Sequence, residues 1–109
     1  MQITVPRAET IKENGVELLA TMGVATALNF QPVESGGGAI TGDIVVIASE
    51  VNPVAQALRT AGIDVTALHN HHLGEAPWLF YLHFFATSDA AQLAKGLRTA
   101  IDKTNSKPA

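Results

Sequence analysis

All four histidines of this chain fall between positions 69 and 83, in the run Leu68-His69-Asn70-His71-His72-Leu73-Gly74-Glu75 and then, after Pro77, at His83. Imidazole nitrogens and carboxylate oxygens are the donors that hold divalent transition metals, and two or three of the former with one of the latter suit Zn²⁺, Fe²⁺, Mn²⁺, Ni²⁺ or Cu²⁺. The reading is a divalent transition-metal site on His69, His71 and His83, with Glu75 as a fourth ligand and zinc the first choice of ion. A closed shell of four donors would be a structural zinc site. Three donors with an open position would admit water or a substrate. There is no cysteine, so any metal is held by nitrogen and oxygen alone.

The spacing has a geometric meaning. Residues two apart on a strand share a face, so His69 and His71 project together from a strand end, and an antiparallel return brings His83 back toward them. Whether His83 reaches the same face depends on register, because a one-residue slip reverses it. Competing readings apply to each residue. His83 between Leu82 and Phe84 fits a satisfied core histidine, and His69 with His71 fits a solvated hairpin end. His72 points opposite to its neighbours and is read as a bystander. Asn70 is read as a turn or supporting group, Glu50 and Asp43 as cap-region and strand-edge carboxylates, and Gly36-Gly37-Gly38 as a hairpin turn.

Elements that could position such a site follow from the apolar pattern. Alternation from Ala25 to Val33 reads as a strand, and the β-branched run Ile44-Val45-Val46-Ile47 within Ala39 to Ala48 as a second, apolar on both faces. Asn52-Pro53, with Ser49 as an earlier alternative, opens a helix whose stripe is Val51, Val54, Ala55 and Leu58 and which stops at Gly62. Ile63 to Asn70 reads as a third strand and Trp78 to Ala86 as a fourth, again apolar on both faces. Ser88-Asp89 caps a last helix with the stripe Leu93, Ala94, Leu97, Ala100 and Ile101. Gln2 to Val5 can add an edge strand, and Val16 to Met22 is either a helical turn or an irregular lead-in. The order ββαββα predicts an α+β fold, a four-stranded antiparallel sheet with both helices on one face, topologically a permuted ferredoxin-like arrangement.

At 109 residues the chain is expected to be one domain, with its core over about 24–103. Charged residues make up 16% and hydrophobic ones 47%, and two strands are apolar on both sides, which predicts a homodimer through the open sheet face. A net charge of −3 with scattered basic residues excludes a nucleic-acid stripe. The start Met1-Gln2-Ile3-Thr4-Val5-Pro6-Arg7 lacks a secretory signal pattern and no run is long enough for a membrane span, so the chain reads as soluble, with its location open.

The stretch Asp64 to Pro77, followed by Leu79-Phe80-Tyr81-Leu82-His83-Phe84, resembles the family of bacterial proteins named after the mycobacterial lipoproteins LppY and LpqO. Gly42-Asp43-Ile44-Val45, Glu50-Val51-Asn52-Pro53-Val54 and Phe30-Gln31-Pro32 agree with it too, and the likeness runs over roughly residues 14–102. The resemblance implies a protein of a family largely without known function, often exported, many of whose members carry two copies of this unit. It therefore also implies pairing of units. In that family an acidic residue usually precedes the proline and an arginine follows it; here Ala76 and Trp78 stand there. Either Glu75 substitutes from one position earlier or the site is degenerate. The H-x-H-x-x-x-E spacing also matches the first metal motif of cupins, but the chain has too few strands for that barrel.

Two functions follow. The first is a dimeric metal-binding protein with a possible small-molecule ligand, its open position activating water beside an apolar wall of either Trp78, Phe80 and Phe84 or Tyr81 and Phe85. The second is a non-catalytic assembly or ligand-binding module whose histidines are structural.

Overall fold

The computed structural model describes residues 1–34, 36–71 and 73–107. Its strands are β1 (Gln2–Val5), β2 (Ile11–Glu13), β3 (Val16–Leu18), β4 (Thr26–Pro32), β5 (Gly38–Val46), β6 (Asp64–His69), β7 (Glu75–Ala76) and β8 (Phe80–Ser88). Helix α1 (Ala48–Thr60) joins β5 to β6, and α2 (Ala90–Ile101) follows β8. The fold is α+β: a five-stranded antiparallel sheet in the order β1-β4-β5-β8-β6, with a second sheet in the order β3-β2-β7. The expected four strands are present, and Gln2–Val5 pairs with β4 as the extra edge strand. The second sheet departs from the expectation. Val16–Leu18 is one of its strands rather than a helical turn, and the turn follows at Ala20–Met22.

Both helices pack on one face of the large sheet. Ile40, Ile44, Val46, Leu82 and Phe84 meet Val54, Leu58, Leu93 and Leu97 there, so the main core is the interface of helix stripes with alternate strand residues. Asp89 caps α2 as expected, accepting from the Gln92 N–H at 3.1 Å. Ala94, placed in the α2 stripe from sequence, is exposed; Gly96 is buried instead, where an added Cβ would stand 2.6 Å from that of Ala61 on the other helix. Helix α1 starts a turn before Asn52-Pro53. Its first turn is capped not by Ser49 or Asn52 but by Glu50, whose carboxylate accepts the Ile47 N–H at 3.0 Å, and Pro53 lies inside the helix. None of the described helices is long and apolar enough to cross a membrane.

The opposite sheet face explains the doubly apolar strands. Val45 and Tyr81, 0% and 1% exposed, form a second core cluster with Ile11, Val24 and Leu79, against which Leu18 and Ile47 pack. A second copy of the chain is therefore not required over these two residues: residues 11–24 and the small sheet cover them. The remainder of that face, from Thr41 and Phe85 outward, is open, and Phe85 is 47% exposed.

Arg7 fastens the N-terminal segment. Its guanidinium is buried, donates to the Val45 carbonyl at 3.0 Å, and grips Glu50 (Nη1–Oε1 2.6 Å, Nη2–Oε2 3.2 Å) and Glu9 (Nε–Oε1 2.9 Å, Nη2–Oε2 2.8 Å) with both prongs. The Asn105 N–H donates to the same Glu50 carboxylate at 2.8 Å, bringing the C-terminal tail to this point. Burial alone would raise the Glu50 carboxyl pKa, but Arg7 and the N–H groups of Ile47 and Asn105 outweigh it and hold it below the ordinary value.

Gly42 makes one demand on the sheet. Its φ is +152° and an added Cβ would lie 2.0 Å from the Ala27 carbonyl oxygen and 3.3 Å from the Phe84 ring. The Gly42→Ala variant is expected to lose about 2–4 kcal/mol and to open the β4–β5 pairing beside Asp43, read as an earlier denaturant midpoint.

Candidate metal centre

In antiparallel pairing, residues directly opposite share a face. His83 of β8 is opposite Asp43 of β5 on one side and Ala67 of β6 on the other, while His69 is opposite Tyr81. Tyr81 and His83 are two apart on β8, so His69, Tyr81, His83 and Asp43 all lie on the face away from the helices. This outcome depends on one irregularity. The β6–β8 register shifts between Val65 and Ala67. Continuing the pairing of Val65 with Phe84 without that shift would set His69 opposite Phe80 and turn it to the helix side. The shift at Thr66 thus sets the facing of everything after it. Deleting Thr66 is expected to close the bulge with Ala67 still opposite His83 and His69 still opposite Tyr81, read as zinc uptake that survives the deletion; loss of bound zinc would contradict this register.

Beyond β6 the chain is held by Asn70, whose side-chain amide donates to the Leu79 carbonyl at 2.7 Å, and by Glu75, which accepts the Leu79 N–H at 3.1 Å. Both backbone groups of Leu79 are thereby engaged, and the ends of the Asn70–Leu79 connection are drawn together. β7 attaches that connection to the small sheet through Lys12 opposite Ala76 and Glu13 opposite Glu75. His71 then lies flat on Tyr81, with ring centroids 3.5 Å apart and planes 7° apart.

The sequence-predicted histidines His69, His71 and His83 come together: one ring nitrogen from each lies within 4.8 Å of the other two, and His69 and His71 are exposed. Three nitrogens around a tetrahedral ion stand roughly 3.3 Å apart, given ligand bonds of about 2.0–2.1 Å, so side-chain rotations of the order of an ångström would close the shell. Glu75, the expected fourth ligand, is outside this group; it is buried in β7 and serves the Leu79 N–H. His72 lies outside the described residues. The wall that backs the centre is the second of the two expected alternatives, Tyr81 beneath His71 and Phe85 farther along the same face; Phe84 belongs to the helix-side core.

Two hydrogen-bond partners decide what the centre can do. His83 Nδ1 is paired with the Asp43 carboxylate, and His69 Nδ1 lies 3.3 Å from the Asn70 carbonyl. A ring that donates from Nδ1 to an oxygen carries its lone pair on Nε2. The Nε2 atoms of His69 and His83 face each other at 2.7 Å, a hydrogen-bond distance that a proton on either nitrogen satisfies and that, with both Nδ1 groups donating, aims two lone pairs at one point. A cation between them satisfies both. Asp43, read from sequence as a strand-edge carboxylate, thus supports the centre. No spacing could have revealed it, because its link to His83 is a register relation between β5 and β8. Arg7 was likewise unread, being a single basic residue in an unassigned segment.

Tyr81 contributes a surface rather than a proton. Burial first, and then the negative charges of Glu75 and Asp43, push its phenol up to about 12, so it stays neutral near pH 7. Its hydroxyl has no hydrogen-bond partner among the described residues.

The profile of a family described as "Domain of Unknown Function (DUF1259)" matches residues 1–103. The chain belongs to this family. The match includes the N-terminal segment that builds the small sheet and all three clustered histidines. Comparison with curated proteins and with solved structures found no match.

Proposed function

We propose that this DUF1259 domain binds a divalent transition metal, zinc first among the candidates, through His69, His71 and His83, leaving an open position for water or a small oxygen ligand. The convergence of three imidazole nitrogens within 4.8 Å carries the reading. Asp43 acts through His83: a carboxylate on the far ring nitrogen fixes the tautomer and makes the near one a stronger donor. Glu75 is the supporting carboxylate of the connection, its Oε1 accepting the Leu79 N–H, and it lies outside the three-histidine group. A metal held this way polarises a bound oxygen and lowers the pKa of bound water. The chain's own part is to hold three donors on the sheet, keep Tyr81 as a dry floor under His71, and leave the outer side open.

Asp43→Asn is expected to weaken zinc affinity about 10–100-fold without unfolding the protein, measured by competition with a chromophoric chelator. Unchanged affinity would remove Asp43 from the site.

The rival reading, an assembly module, is favoured by Val65, Leu68 and Phe85, which are 37%, 47% and 47% exposed at the β6 edge and open face. It fits the resemblance to LppY- and LpqO-type proteins with two copies of the unit. Sedimentation separates the readings: a module of this kind forms a dimer whose mass is indifferent to zinc and to His69→Ala.

A further inference from the structure

The part of the histidine-bearing face that the small sheet leaves uncovered has a chemistry of its own. One row beyond His83 and Asp43, about 7 Å along the strands, Phe85 is opposite Thr41, Thr41 opposite Asn29, and Asn29 opposite Gln2. The next row adds Gln31 opposite Ala39. Together these residues line a shallow cleft of about 320 Å³, at the small end of the range for small-molecule sites. Its polar side chains are amides and a hydroxyl, and the Met1 α-ammonium, which donates to the Phe30 carbonyl at 3.0 Å, lines it too. Thr41 already donates to the Phe84 carbonyl at 3.1 Å, which leaves its oxygen free to accept. Phe85 offers a half-exposed ring on the β8 side. The rows Thr4–Ala27–Asp43–His83–Ala67 and Gln2–Asn29–Thr41–Phe85–Asp64 contain aspartates and no lysine or arginine.

We infer that this cleft binds a polyhydroxylated molecule, a sugar or polyol, laid along the sheet so that one hydroxyl reaches the histidine centre. The inference rests on the metal reading for that last contact and on the cleft itself for the rest. A purely apolar ligand would bury Asn29, Gln31 and Thr41 unpaired. A ring of hydroxyls with an apolar underside meets both the amides and Phe85, and oxygen donors are ones that zinc and its neighbours in the transition series accept.

The test is an NMR titration of zinc-loaded protein with D-glucose and D-galactose, and with tetrahydropyran, a ring of the same size without hydroxyls, as the comparator. The sugars are expected to shift Asn29, Gln31, Thr41 and Phe85 with dissociation constants of about 1–10 mM, and tetrahydropyran to bind at least about tenfold more weakly. Phe85→Ala and Asn29→Ala should each cut sugar affinity about tenfold, and Asn29→Ala should leave zinc content unchanged. Absence of shifts on this face with either sugar, equal affinity in Phe85→Ala, or preference for tetrahydropyran would overturn the inference. Zinc content of the same samples separates the two proposals. Sugar shifts on protein that takes up no zinc would uphold the cleft and sink the metal reading; zinc-loaded protein without sugar shifts would sink the cleft alone.

Discussion

Zinc added at about a hundredfold excess over its dissociation constant is expected to stabilise the wild-type protein by about 2.7 kcal/mol, a rise of roughly 10 °C in melting temperature for a domain of this size. His69→Ala, His71→Ala and His83→Ala should each lose most of that rise. The reasoning is mass action: an ion that binds three side chains brought together only by folding binds the native state alone. Each alanine leaves two nitrogens, and two are too few to hold the ion against water and buffer. In the absence of zinc the three variants should differ little from wild type, since His69 and His71 are exposed and His83 is partly so. His83→Ala should cost the most of the three, because it also strips Asp43 of its partner. Scanning calorimetry with and without zinc reads both effects. Equal zinc-dependent shifts in wild type and His69→Ala would remove the histidine from the site.

Arg7→Leu is expected to destabilise the protein by about 3–5 kcal/mol. The substitution leaves Glu50 as a buried carboxylate without its cation, releases Glu9, and unpins the segment that covers Val45 and Tyr81. Urea unfolding measures the loss, and a change below about 1 kcal/mol would show that the N-terminal segment is held by its apolar residues instead. The pH dependence follows with a definite sign. Glu50 and Glu9 both titrate below the ordinary 4.5 in the folded protein. For Glu9 the Arg7 hydrogen bonds are the main cause; for Glu50 they act with backbone N–H groups against burial. A depressed carboxylate contributes stability that is fully present above its unfolded pKa and lost as pH falls through the folded value. Wild-type stability should therefore decline as pH drops below about 4.5. In Arg7→Leu that decline should shrink, because the cation that helped hold both carboxyls low is gone.

What the sequence made legible was local. The paired histidines, the alternation of β4, the β-branched run of β5 and the Asp89 cap all express short-range rules, and each has its counterpart in the fold. What it hid were relations between distant segments. Residues 11–24 looked too irregular to assign because their strands are three residues long, and their job is to cover Val45 and Tyr81. With that cover unread, the doubly apolar strands pointed to a second copy of the chain. The start of α1 was misread because a glutamate two residues inside the helix does the capping that Ser49 or Asn52 was expected to do. The facing of His83 and the partnership with Asp43 both rest on strand register, and the facing of His69 rests on the register shift at Thr66. Glu75 had the right chemistry and the right spacing for a ligand; the backbone of Leu79 engages it.

The central claim is tested most directly by metal analysis of tag-free protein purified without chelator, alongside the His69→Ala/His71→Ala double variant, using plasma mass spectrometry. The account predicts close to one divalent transition metal per chain in the wild type and almost none in the double variant. A well-folded wild type that carries no metal, and takes up none from added zinc, would contradict it.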